Sequence, residues 1–377
     1  MRVLFASLPL PGHLFPLVPL AQACTSAGHE ATVATGPAVA EQVAALGFDH
    51  AVVTPTTEWA LGVARERYTH LITRPEPRTD FISAFFCSLI APAVAAELIP
   101  LLETERPDVV VHEFYDVGAA AAARAAGIPS VCHGLNRLPP PSMLADMAER
   151  LDGDVFGSAY LDVCPRSMQD GASLAAAPEA LPVRPRPWSD ADLPLPPDLE
   201  APRDRPRVYV TLGTVVNTGE RALRVFRTVL DGLARLPVDV LVTVGRDGDP
   251  TALAVPSERV RVERFLPQER LLRHVDAVVH HCGAGTMFGA ASAGLPQLGL
   301  PQSTDQFISG APALAASGAG LVLRPDELTP ERVAAAVQQL LEDEALRSRV
   351  AELAAEIAAM PAADARVETL EQLAAGA

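Results

Sequence analysis

The sequence predicts an α/β protein built on two parallel sheets, and three observations carry the prediction. Short apolar runs of strand length alternate with helical patterns from residue 2 onward, the alternation restarts after a proline-rich stretch near residue 200, and 377 residues exceed what one hydrophobic core usually organises. Hydrophobic residues make up 49% of the chain, enough for two cores.

Residues 2–7 read as a buried strand and 14–28 as a helix stopped by Gly28, since glycine most readily takes the left-handed conformation past a helix end. Strands at 31–35 and 51–53 flank a helix at 39–46, which gives a βαβαβ unit. A strand at 108–112, a helix at 117–126 and strands at 128–132 and 160–163 continue the pattern, implying parallel pairing with helices on both faces. Between 184 and 207 the prolines 185, 187, 194, 196, 197, 202 and 206 read as a stiff, extended linker. A second alternation follows, with strands at 208–212, 239–244, 260–263, 277–280, 296–300 and 321–323 and a helix at 220–236. Helical patterns at 330–341, 345–360 and 365–375 are too many for one sheet, and Pro361 is a natural kink. The expected domains are 1–190 and 207–360, joined by 191–206, with 361–377 as a terminal helix.

Bulk composition excludes several function classes. With 46 acidic against 30 basic residues the net charge is −16, which disfavours binding to a nucleic-acid backbone. Every basic residue is arginine, read here as coding bias rather than chemistry. Cys24, Cys87, Cys132, Cys164 and Cys282 are scattered without metal-site spacing, so neither a disulfide framework nor zinc is expected, and a reducing cytosol fits. The N-terminal apolar run is broken by Pro9, Pro11, Gly12, His13, Pro16 and Pro19, which suits a strand and loop better than a leader. No run of about 18 uninterrupted apolar residues predicts a membrane span.

The most informative stretch is 278–286, Val-Val-His-His-Cys-Gly-Ala-Gly-Thr, where an apolar strand enters a small-residue turn and a helical pattern starts at once. Gly283, Ala284 and Gly285 let an anion approach the backbone, the first amides of the helix point at it, and Thr286 and His281 add side-chain donors. Such a turn alone often serves only packing, but Asp305 and Gln306 follow the next strand where a carboxylate and an amide could bind sugar hydroxyls. Diphosphate and polyol together suggest a nucleotide sugar. His13 lies at the carboxyl end of the first strand, in Pro11-Gly12-His13-Leu14-Phe15-Pro16, and histidine is the usual base for a hydroxyl at neutral pH. A carboxylate at the end of strand 108–112 could orient it, and Glu113 and Asp116 are the candidates.

In these residues the chain resembles the nucleotide-sugar-dependent GT-B glycosyltransferases, in the family 1 branch that decorates bacterial natural products with deoxysugars. The resemblance spans nearly the whole chain and implies two facing Rossmann-like domains with a cleft between them. It implies that His280-His281-Cys282-Gly283-Ala284-Gly285-Thr286 holds the donor diphosphate, that Asp305-Gln306 contacts the sugar, and that His13 in G-H-x-x-P is the general base, with Glu113 at the family's acidic position. Cys282 stands where most bacterial members have glycine. Thr214 resembles the contact to the diphosphate and reacting centre, with Thr243 a weaker candidate; Phe265, Leu266 and Gln268 resemble the segment that binds base and ribose. For the acceptor, Phe114, Tyr115, Asn136 and Met143 follow strand ends, whereas Trp59, Tyr68, Phe81, Phe85 and Phe86 are read as packing.

The expected function is inverting, metal-independent transfer of a deoxyhexose from a dTDP-sugar, a co-substrate rather than a cofactor, to the hydroxyl of an apolar aglycone. Neither nucleic acid nor membrane is an expected partner, and oligomeric state is open, with a homodimer as one expectation. The rival readings are a nucleotide-sugar epimerase of the same fold and a catalytically silent homologue that partners another transferase.

Overall fold

Valine runs at strand positions set the sheet centres. Val109, Val110 and Val111 in one sheet and Val278 and Val279 in the other are fully buried, as expected of parallel strands covered on both faces. A computed structural model of the chain describes residues 1–53, 55, 57–67, 79–186, 193–213, 219–246, 248–253 and 257–376. They form two compact units: Met1–Pro165 with Gln169–Arg184 and Met360–Ala377, and Arg166–Met168 with Pro185–Ala359.

The first unit holds strands β1 (Arg2–Ala6), β2 (Glu30–Thr35), β3 (Asp49–Val52), β4 (Val109–Glu113), β5 (Ser130–His133), β6 (Ala159–Asp162) and β7 (Ala180–Pro182). All pair in parallel, in the order β3-β2-β1-β4-β5-β6-β7. Its helices are α1 (Pro11–Leu14), α2 (Val18–Ser26), α3 (Ala40–Ala45), α4 (Thr57–Arg67), α5 (Thr79–Glu105), α6 (Val117–Ala126), α7 (Pro141–Leu151) and α8 (Gly171–Ala175). The helix expected at 14–28 is divided into α1, a 3-10 turn at Phe15–Leu17 and α2. Proline sits in the first turn of each piece, where its missing N–H leaves no bond unmade.

α5, with a π segment at Ala84–Ile90, is long and apolar enough to cross a membrane by length and composition, with mean hydropathy 2.0 over 18 residues. No such segment was expected, because Ser83, Ser88 and Glu97 interrupt the run. Phe85, Leu89, Ile90, Val94, Leu98 and Leu102 are buried within the first unit, so a core helix accounts for its composition.

The second unit holds β8 (Arg207–Thr211), β9 (Asp239–Thr243), β10 (Val260–Glu263), β11 (Ala277–His280), β12 (Gln297–Gly299) and β13 (Gly320–Val322), all parallel, in the order β10-β9-β8-β11-β12-β13. Its helices are α9 (Gly219–Leu233), α10 (Gln268–Leu271), α11 (Ala284–Ser292), α12 (Ala311–Ser317), α13 (Pro330–Glu342) and α14 (Glu344–Ala359). From the proline-rich stretch, Leu195 and Leu199 enter a core cluster with Tyr209, Leu241 and Leu266. Arg207 and Arg270 donate to the carbonyls of Leu199 and Leu193, both at 3.0 Å, so this part of the stretch is packed rather than extended into solvent. The last helix, α15 (Val367–Ala375), belongs to the first unit, where Arg184 N–H donates to Pro361 O at 2.7 Å and His29 pairs with Glu371 at 2.9 Å.

Candidate active site

Both sheets reverse their winding once, the first between β1 and β4 and the second between β8 and β11. At such a point the connections leave the carboxyl ends of adjacent strands in opposite directions and open a crevice, where ligands of parallel sheets bind. The sequence-predicted histidines follow the strands at these two points.

In the first unit β1 leads to α1, which carries His13, and β4 ends at Glu113; the register pairs Ala6 with His112. His13 Nδ1 lies 2.8 Å from Glu113 Oε1, and Tyr115 N–H donates to Oε2 at 2.6 Å. Glu113 is fully buried, while the His13 side chain is 18% exposed. A carboxylate at Nδ1 selects the tautomer with the proton there and leaves the Nε2 lone pair to take one. Glu113, not Asp116, therefore pairs with His13; Asp116 occupies the position before α6 without a side-chain capping bond. Tyr115 stacks on Phe86 at 4.5 Å and stands 6.1 Å from the His13 ring. Phe114, Tyr115 and Asn136 line a shallow pocket with Leu135, Arg137 and Leu138. Met143 is buried to 1% exposure, so it belongs to the core and not to that surface. Tyr68 lies outside the described residues, as does Thr214 in the second unit.

In the second unit His280 is wholly buried and its two nitrogens are committed: Nε2 to Gln297 Oε1 at 2.9 Å, and Nδ1 as acceptor from Cys282 N–H at 3.0 Å. This holds the imidazole neutral, and burial lowers it to about 3. His280 thereby shapes the turn that presents His281. Cys282 follows with φ +65, the left-handed region that explains why glycine is usual there. A Cβ built at Gly213 would lie 2.3 Å from His281 Cε1, and one at Gly283 would lie 2.3 Å from His281 Nε2, so two glycines make room for one ring. Burial pushes His281 down to about 4, and its Nδ1 has no partner among the described residues.

Gly283 precedes α11, and the amides of Ala284, Gly285 and Thr286 form its first turn, where no helical carbonyl is available to them. Gln268 Nε2 donates to Thr286 Oγ1 at 3.0 Å, joining two predicted donor-site residues. Phe265 is half-buried rather than core, with the Arg246 guanidinium 4.0 Å above its ring centroid. The Leu266 side chain is core, which leaves only its backbone for a ligand. Asp305 is exposed and accepts from Ser303. Gln306 is buried, and its Oε1 accepts from the N–H groups of Gln302 at 2.7 Å and Ser303 at 3.2 Å, which holds the loop and leaves its NH2 for other work.

Thr243, expected near the diphosphate, is corrected by the structure. Its hydroxyl is buried with Tyr209 Oη at 2.8 Å and Thr211 Oγ1 at 3.1 Å, because register pairing with Thr211 turns it into the core. Sequence reasoning missed the Gly213–His281 contact, the Tyr115–Phe86 stack and Arg246; a glycine just past a strand end was the one available signal. Among the described residues no group of three His, Cys, Asp or Glu side chains gathers to hold a metal ion.

The chain is similar to known proteins along nearly its whole length. Residues 227–373 match the family described as erythromycin biosynthesis protein CIII-like, C-terminal domain. The chain is 35% identical to the L-demethylnoviosyl transferase of Streptomyces niveus, over 96% of this chain and 95% of that one. Among solved structures it is similar to the glycosyltransferase SnogD from Streptomyces nogalater, with TM-score 0.77, 26% identity and 99% of each chain covered. It is also similar to the spinosyn rhamnosyltransferase SpnG complexed with thymidine diphosphate, with TM-score 0.84, 26% identity, and 98% of this chain and 100% of that one covered. SpnG has also been solved with spinosyn aglycone.

Proposed function

The chain belongs to the bacterial natural-product deoxysugar glycosyltransferases of GT-B fold, and we propose that it transfers a deoxyhexose from a dTDP-sugar to an aglycone hydroxyl with inversion and without a metal. The observation that supports this reading most is the 2.8 Å contact of His13 Nδ1 with Glu113 Oε1 at the winding reversal of the first sheet. His13 Nε2 takes the acceptor proton while Glu113 stabilises the imidazolium. The acceptor oxygen attacks the anomeric carbon from the face opposite the diphosphate, the bond from that carbon to the diphosphate oxygen breaks, and its electron pair stays on the leaving TDP.

In the second unit the α11 first-turn amides and His281 receive the developing charge, a preorganised dipole set of the kind that contributes several kcal/mol to a barrier. His281, lowered by burial to about 4 in the free protein, adds a ring N–H donor to this set. Gly285 is exposed with open space around it, so no protein atom demands glycine; the approach of a diphosphate does. Phe265 stacks the pyrimidine, Leu266 offers backbone, Gln268 reaches the ribose, and Asp305 with the Gln306 NH2 contacts the sugar. Tyr115, Phe114 and Asn136 border the apolar acceptor, and the reaction takes place in the cytoplasm.

The assay is TDP release from dTDP-deoxyhexoses in EDTA against a panel of aromatic and polyketide aglycones. The reading requires release only when aglycone is added, with a glycoside of inverted anomeric configuration. Aglycone-independent conversion of the sugar would favour the epimerase reading, and inhibition by EDTA would reject the metal-free step.

A further inference from the structure

We infer that Asp116 is a further positioning residue for the His13–Glu113 pair, acting on it as a neutral carboxylic acid. The inference rests on the reading of His13 as the base. Asp116 closes the turn after β4: its N–H donates to the Glu113 carbonyl at 2.9 Å, and it is the residue that opens α6. An aspartate in this place ordinarily accepts from the first-turn amides as a carboxylate. Here the side chain makes no capping bond, is 3% exposed, and leaves Oδ1 without a hydrogen-bond partner among the described residues.

An ionised carboxylate so placed has one buried oxygen without a partner among the described residues, a costlier state than a protonated carboxyl. Glu113 already brings one carboxylate to the same turn, with both oxygens held by His13 and Tyr115. Two carboxyl groups sharing a dry site do not both ionise readily, and the proton goes to the one that lacks partners. Burial first and Glu113 second push Asp116 up to about 8, against the amide of Ala119 and His13, which pull it down.

The groups that face this turn are Glu113 and His112 on β4 and His13 on α1. His112 is lowered by burial to about 4 and stays neutral. From α5, Ala91 and Val94 pack on Gly118 at the start of α6. Asp116 in its acid form therefore leaves Glu113 as the carboxylate that holds the imidazole. Once Asp116 loses its proton, a second charge strengthens the hold of His13 on its own, and the two titrations couple.

The test is an NMR titration of the His13 ring in the wild type and in Asp116→Asn, with His13→Ala supplying the assignment and turnover measured on the same samples. Asparagine copies the neutral acid but cannot ionise, so the variant should lose a second inflection near pH 8 that the wild-type His13 signal shows. In the wild type alone, infrared difference spectra between pH 7 and pH 9 should show loss of a protonated carboxyl C=O stretch, a readout that does not depend on the variant folding. Identical titrations of His13 in the two proteins, or absence of the infrared band, would each overturn the inference. Unchanged turnover in His13→Ala would instead remove the base assignment, while the titration would still report whether Asp116 and His13 are coupled.

Discussion

The ring of His281 fills the space that a side chain on Gly213 would need, with Cε1 only 2.3 Å from the position of a Cβ there. Gly213 ends the excursion of β8, His281 that of β11, and these are the neighbours between which the second sheet reverses its winding. The absence of a side chain on one strand end thus sets the orientation of the imidazole on the other.

Gly213→Ala should therefore displace His281, and its φ of +76 adds backbone strain. Calorimetry should show TDP binding at least about tenfold weaker, equivalent to about 1.4 kcal/mol. His281→Ala should cost about 10- to 100-fold, the range for a hydrogen bond to a charged group. Wild-type TDP affinity in either variant would remove His281 from the diphosphate site.

Cys282 carries opposing effects. Its left-handed φ of +65 costs about 1–2 kcal/mol relative to glycine. Burying its side chain returns about 1–2 kcal/mol. Cys282→Gly should accordingly stay within about 1 kcal/mol of the wild type in urea unfolding, whereas Cys282→Val should destabilise by more than about 2 kcal/mol, because a β-branched residue does not tolerate that conformation. A well-folded valine variant of native stability would contradict the strained turn.

Buried histidines set the acid limit of stability. His112, His133 and His281 are lowered by burial to about 4 and His280 to about 3, from an ordinary value of 6.5. Above pH 6.5 these groups are neutral in both folded and unfolded chains and contribute no slope. As pH falls from 6.5 towards 4, the unfolded chain takes up protons that the folded one refuses, so stability drops. Asp116 runs the other way: with its pKa raised from 3.8 to about 8 it carries a proton only in the folded state, so stability falls as pH rises through that interval. Four groups outweigh one below pH 6.5, and the urea midpoint should be lower at pH 5 than at pH 7. An equal or higher midpoint at pH 5 would show that these imidazoles are protonated in the native state.

The succession of most strands along the chain and the identity of both turns were legible because β4 and β11 are apolar runs bounded by chemically distinct residues. Long-range relationships were not. Nothing local to Gly213 announces His281, and Thr243 sits at a strand end as a ligand contact would, yet its register partner Thr211 and Tyr209 draw its hydroxyl inward. α5 and α7 escaped notice because apolar residues run almost continuously through 79–105 and prolines crowd the entry at 139–141, so no helical period stands out. Glu113 was preferred to Asp116 through the family resemblance; the fold gives Glu113 the histidine and leaves Asp116 Oδ1 without a partner among the described residues.

The account depends most on His13 as the group that takes the acceptor proton. Single-turnover kinetics of His13→Ala, paired with TDP calorimetry, test it directly. The result predicted is transfer slower by about two to four orders of magnitude, the range for a lost general base, with TDP affinity unchanged. Transfer at the wild-type rate by a folded His13→Ala protein would contradict it.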